Sequence, residues 1–185
     1  DSVRYYSTYL PELYKLVLKQ SSEFLKETLN EQQRKFRKRS RPKILLATNF
    51  DDAVEMYSKY KHNILGVISD VGFNVHKDDS PEMEKLDAGI DLVKLIKEDD
   101  PKIPILLQSS QDTISVVAEE LGVGFLRKYS KTLMIQLADY IKEEFGFGDF
   151  VFRDSEHNEY GRAANLKELE KMMREVPDEV RLFNA

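Results

Sequence analysis

Residues 64–70 read ILGVISD, with VGF following at 71–73. Six residues with almost no polarity run straight into a carboxylate. A buried charge is costly unless something pairs with it. An apolar run of this length, bounded by polar segments, reads as a strand buried on both faces. Asp70 then stands at the strand's carboxyl end, and the question is what it is for.

Working outward, the same alternation recurs. KILLA (43–47) reads as a strand, and Asp51 or Asp52 caps a helix running to Tyr60. After 64–69 comes a long polar loop, GFNVHKDDSPEMEK, then a helix over 87–99 with Ile90, Leu92, Val93, Leu95 and Ile96 as its apolar positions. IPILLQS (103–109) is a further strand. Thr113 to Leu121 is a helix ended by Gly122, GFLRK (124–128) is a short strand, and 132–145 is an amphipathic helix ended by Gly146. Apolar strands alternating with helices imply an α/β fold with a doubly wound parallel sheet, covered on both faces. In such sheets ligands bind beyond the carboxyl ends of the strands. Asp70, Ser109 and Lys128 all fall there, so an acid, a hydroxyl and an amine are delivered to one edge.

The flanks differ. Residues 3–38 read as one long helix, with Pro11 near its start and an apolar stripe through Tyr6, Leu10, Leu13, Val17, Phe24 and Leu25. At 1.5 Å per residue it would run about 54 Å, longer than a small domain is wide. That stripe reads mostly as core, while its continuation along the helix suits pairing of two subunits as a homodimer. After Gly146, DFVFR (149–153) reads as a strand, Tyr160 begins a return strand, 166–176 is a helix and Pro177 starts another. The expected division is a domain over 1–146, with 1–42 as its extended first helix and linker, and a small α+β appendage or the start of a further domain over 147–185, too short to hold a strong core alone.

Composition excludes several classes. The net charge is −5, which disfavours generic affinity for nucleic acid. The basic run RKFRKRSRPK (34–43) therefore reads as a solvated helix end. With no cysteine there is neither a disulfide framework nor a thiolate zinc site. No apolar run approaches the roughly 20 residues needed to cross a bilayer, and no signal peptide is visible. The expected location is the cytoplasm. His76, beside Asp78 and Asp79, reads as a solvated loop histidine.

Together, the three strand-end groups suit phosphate chemistry. A carboxylate can attack phosphorus, a lysine neutralises phosphoryl oxygens, and a hydroxyl donates to one. The order acid–hydroxyl–lysine in LGVISDV, PILLQSS and GVGFLRKYS, with DAGIDLVKLIKE between, resembles the receiver (CheY-like, flavodoxin-like) domain of two-component response regulators over roughly residues 43–145. The resemblance implies that 1–146 is a receiver-like domain with a phosphoacceptor, Asp70, served by Ser109 and Lys128. It implies a switch aromatic at Phe125, a metal-binding backbone carbonyl at Gly72, and a glycine before the third helix at Gly89. It implies Mg²⁺, a histidine kinase or phosphotransfer partner, and an output domain further along the chain, with no enzymatic role.

A receiver has five strands, and four are read here. The register works with KILLA as the second strand and residues 3–38 as a lengthened first helix. The first strand is then missing, and Asp1 is the second member of the acidic metal-binding pair. The proline usual after the lysine is Tyr129, and the loop after Asp70 is long and acidic, suited to covering the site or recruiting a partner. The start DSVRYYSTYLP and the FGFGDFVFR segment resemble the N-terminal region of larger bacterial proteins with a phosphoenolpyruvate/pyruvate-binding domain, so the chain is expected to be a piece of a longer protein. Two other readings compete: a pseudo-receiver that binds partners without phosphorylation, and an aspartyl phosphatase. The phosphatase would need a second aspartate two residues on as general acid, where Gly72 stands.

Overall fold

The computed structural model describes residues 3–26, 42–145, 150–156, 158–163, 166–177 and 180–182. Expectations placed on Asp1, on residues 27–38 of the first helix, on an upstream strand and on Gly146 lie outside these. The described chain forms two compact units, one from residues 1–12 and 43–136, the other from 13–42 and 137–185. Among the described residues no helix is long and apolar enough to cross a membrane.

The first unit is built on a three-stranded parallel sheet. Its strands are β1 (Val67–Asp70), β2 (Ile105–Ser109) and β3 (Gly124–Arg127), in that spatial order. All five residues of β2 are buried, as a central strand covered on both faces must be. Around the sheet lie α1 (Val3–Lys26, which begins in this unit), α2 (Phe50–Tyr60), α3 (Ala88–Asp99) and α4 (Ile114–Glu120). One face of the sheet carries Ile105 and Leu107, which cluster with Tyr57 of α2, Leu92, Val93 and Ile96 of α3, and Ala118 of α4. Each fully buried leucine or isoleucine there contributes about 2–3 kcal/mol relative to exposure. Leu106 and Leu126 are buried on the opposite face. The helix α4 ends as its sequence predicts: Gly122 takes the left-handed conformation at φ 64°, and Val123 N–H returns to the Ala118 carbonyl at 2.9 Å.

KILLA does not form a strand. Residues 43–47 make no ladder, and Leu45 and Leu46 stay exposed. An apolar run becomes a strand only where a neighbour offers backbone donors and acceptors, and neither β1 nor β3 pairs with this one. Pro11 also departs from expectation. It lies inside α1 rather than near its start, so the helix forgoes one backbone donor there.

The long loop after β1 is well tied down. Phe73 and Lys85 pair antiparallel and close its base, while the carbonyls of Asn74 and Val75 accept the first N–H groups of α2, from Phe50 and Asp51. Those donors have no partner within their own helix. Asn49 caps the same helix, its side chain accepting from Asp52 N–H at 2.8 Å. His76 Nδ1 meets Asp51 at 2.7 Å, and this contact raises the imidazole pKa. The histidine is thus exposed but used to pin the loop.

In the second unit, β4 (Phe150–Arg153) pairs antiparallel with β5 (Glu159–Ala163) and with β6 (Arg181–Leu182). The helix expected from Pro177 falls on residues 178–179, outside those described; Val180 N–H donates to the Pro177 carbonyl, and β6 follows. A small core forms from Phe152, Ala163 and Val180, with Leu169, Met172 and Val176 of the last helix (Leu166–Glu175) packed on it. Arg162 bridges Glu159 and Glu143, and Arg153 meets Glu144. These pairs join the hairpin to the end of the helix Leu133–Glu143 and the residue after it.

Candidate functional site

Asp70 is the last residue of β1, and Lys128 follows the last residue of β3 directly. The ladder carries this far, since Lys128 N–H donates to the Ser109 carbonyl at 2.8 Å. Register puts Asp70, Gln108 and Leu126 side by side on one face, and alternation returns Lys128 to that face. The two charges therefore meet: Lys128 Nζ donates to Asp70 Oδ2 at 2.6 Å, with both side chains 11% exposed. Asp70 Oδ1 accepts the Val71 N–H at 2.8 Å. The carboxylate is held on both oxygens and stays at the rim of the sheet.

Ser109 and Phe125 lie on the other face, that of Leu107. The Ser109 hydroxyl is buried, and its oxygen accepts the Gln111 N–H at 3.2 Å, which leaves its own hydrogen to donate. It is at the neighbouring strand end but makes no direct bond to Asp70. Phe125 is half-buried against the core cluster. So Asp70 and Lys128 are brought into contact, Ser109 is one strand away, and Phe125 shares Ser109's face.

Gly89 has a clear physical role. It sits in the first turn of α3, where its N–H donates to the Val71 carbonyl at 2.8 Å. A Cβ there would lie 1.9 Å from the Asp70 carbonyl oxygen. The start of α3 is thus pressed against the end of β1, and only glycine allows it. At Gly72 a Cβ would lie 2.6 Å from Glu84 Oε1, so the acidic loop folds a carboxylate back to this residue.

Among the described residues no three Asp, Glu or His side chains gather. Mg²⁺ commonly takes one or two carboxylates with waters and phosphoryl oxygens. Asp70, the Gly72 carbonyl and Glu84 match that donor chemistry, while the expected ligand Asp1 lies outside the described residues.

Tyr5 belongs to this site and was not among the residues that sequence alone picks out. The Tyr5 ring lies under Lys128 Nζ, 4.4 Å from its centroid, a cation–π contact. It meets Tyr9 and Tyr129 edge-on, at 5.5 and 5.6 Å between centroids. Burial, then the neighbouring Tyr129, then Asp70 push its phenol up to about 12; burial, then Tyr5, then Asp70 do the same to Tyr9. Tyr129, at φ 64° and 80% exposed, explains the departure from proline: the pyrrolidine ring holds φ near −65° and cannot adopt this conformation. No protein-family model, curated protein or solved structure matches this chain.

Proposed function

We propose that the first unit is a receiver-type signalling module of flavodoxin-like architecture in which Asp70 accepts a phosphoryl group from a phosphohistidine partner. The observation that carries the reading is the Asp70–Lys128 contact of 2.6 Å at the carboxyl ends of β1 and β3. In the reaction a carboxylate oxygen of Asp70 attacks phosphorus. An Asp–O–P bond forms as the donor's bond to phosphorus breaks, and the donor keeps that electron pair. Lys128 would neutralise a phosphoryl oxygen, and Ser109 would donate to another. Mg²⁺, held by Asp70, the Gly72 carbonyl and Glu84, would offset the remaining charge. Movement of Ser109 toward the phosphoryl group would vacate space on the face of Phe125 and bias a two-state surface read by an output domain or partner.

Incubation with Mg²⁺ and acetyl phosphate, followed by intact mass measurement, tests this. Wild type is expected to gain one phosphoryl group, and Asp70→Asn none. A wild type that gains nothing supports the second reading, a pseudo-receiver. The ladder-free, exposed Leu45 and Leu46 favour that reading, because they leave an apolar surface for a partner.

A further inference from the structure

Among the described residues of the first unit, two buried donors have no acceptor: Tyr5 Oη and Gln108 Nε2. Tyr5 is 7% exposed and Gln108 1%. Gln108 is the register partner of Asp70 and shares its face, and Tyr5 lies against Lys128, the partner of Asp70. An unpaired buried donor is destabilising, and a native fold that keeps one calls for a reason. One on the register partner of Asp70 and one on the ring that covers Lys128, they point to a missing acceptor.

The acceptor count supplies the reason. In the resting carboxylate Oδ1 accepts from Val71 N–H and Oδ2 from Lys128, and neither Tyr5 Oη nor Gln108 Nε2 bonds to either oxygen. A phosphoryl group on Asp70 would add three strong acceptor oxygens. Resting on the phosphoacceptor reading, we infer that the Tyr5 hydroxyl is a further phosphoryl-binding group, unpartnered over the resting Asp70–Lys128 pair and donating to a phosphoryl oxygen when Asp70 carries one. The proton stays on Tyr5 throughout, since burial favours the neutral phenol. Its ring meanwhile covers Lys128 and keeps water from one side of the ion pair. The hydroxyl is thus a cost in the resting state and a contact in the phosphorylated one.

Tyr5→Phe separates the two. It keeps the ring, the cation–π contact and the packing, and removes only the hydroxyl. Wild type and Tyr5→Phe are each titrated with beryllofluoride, a phosphoryl mimic, in Mg²⁺, and followed by thermal melting. The variant is expected to melt no lower than wild type without the mimic, because an orphaned buried hydroxyl has gone. Its affinity for beryllofluoride is expected to fall roughly ten- to a hundred-fold, the loss of one hydrogen bond to a charged acceptor. Unchanged affinity beside a wild type that binds overturns the role of Tyr5 alone. A variant that melts markedly lower without the mimic also overturns it, because the hydroxyl is then structural. A wild type that does not bind beryllofluoride overturns the phosphoacceptor reading itself, and the role of Tyr5 falls with it.

Discussion

Asp70 and Lys128 are each about nine-tenths buried and 2.6 Å apart, and that geometry makes them depend on one another. Attraction between two such charges repays their desolvation only while both are present. Lys128→Met is therefore expected to destabilise the protein by roughly 3 kcal/mol, because Asp70 is left buried and uncompensated. Combining it with Asp70→Asn should recover much of that loss, and urea denaturation of the two variants measures both. Equal instability of single and double variants would mean that Lys128 matters through packing on Tyr5 rather than through charge. The pair itself was legible in the sequence, since both residues end apolar runs. Tyr5 was not. The stripe read through Tyr6, Leu10 and Leu13 passed it by, whereas Tyr5, Tyr9 and Leu13 are the buried positions, and nothing local says which lysine its ring will cover. The departure at Tyr129 was visible, but its cause, a left-handed backbone, is a property of the folded turn.

The elements that carry the site came through with small shifts at their ends. The strand read over 64–69 forms at Val67–Asp70, so the acid is the strand's last residue rather than the one after it. The helices read at 87–99 and 113–121 form at Ala88–Asp99 and Ile114–Glu120. KILLA failed because hydrophobicity specifies burial, whereas a strand needs a neighbour to pair with. Pro11 departed for a related reason. Proline tolerates a helix start, but tertiary context decides whether one occurs. Between elements, Gly89 is the tightest joint. Gly89→Ala would drive a methyl into the Asp70 carbonyl at 1.9 Å, and backbone cannot yield as a flexible side chain does. A loss of at least about 2 kcal/mol is expected in denaturant unfolding, with weaker phosphoryl uptake because the end of β1 must move. Wild-type stability in Gly89→Ala would show that α3 and β1 are not in fact locked together.

At the scale of the whole molecule, the described chain forms two compact units. Asp70, Lys128, Ser109, Gln108, Gly72, Glu84 and Tyr5 all fall in the one made of residues 1–12 and 43–136. The site is thus assembled from both a short N-terminal segment and the sheet-bearing body, which sequence order alone separates widely. The other unit carries its own small core around Phe152, and its antiparallel pattern was legible from alternation at 150–153 and the return strand near Tyr160. If the carboxylate of Asp70 carries the phosphoryl group, chemical mapping will find it there. After treatment with acetyl phosphate and Mg²⁺, borohydride delivers one hydride to the carbonyl carbon of an acyl phosphate, releasing phosphate, and a second hydride with a proton from water reduces the resulting aldehyde, leaving homoserine in place of aspartate. Peptide mass mapping is expected to find homoserine at position 70 and at no other acidic residue. Homoserine elsewhere, or none at all, would contradict the account.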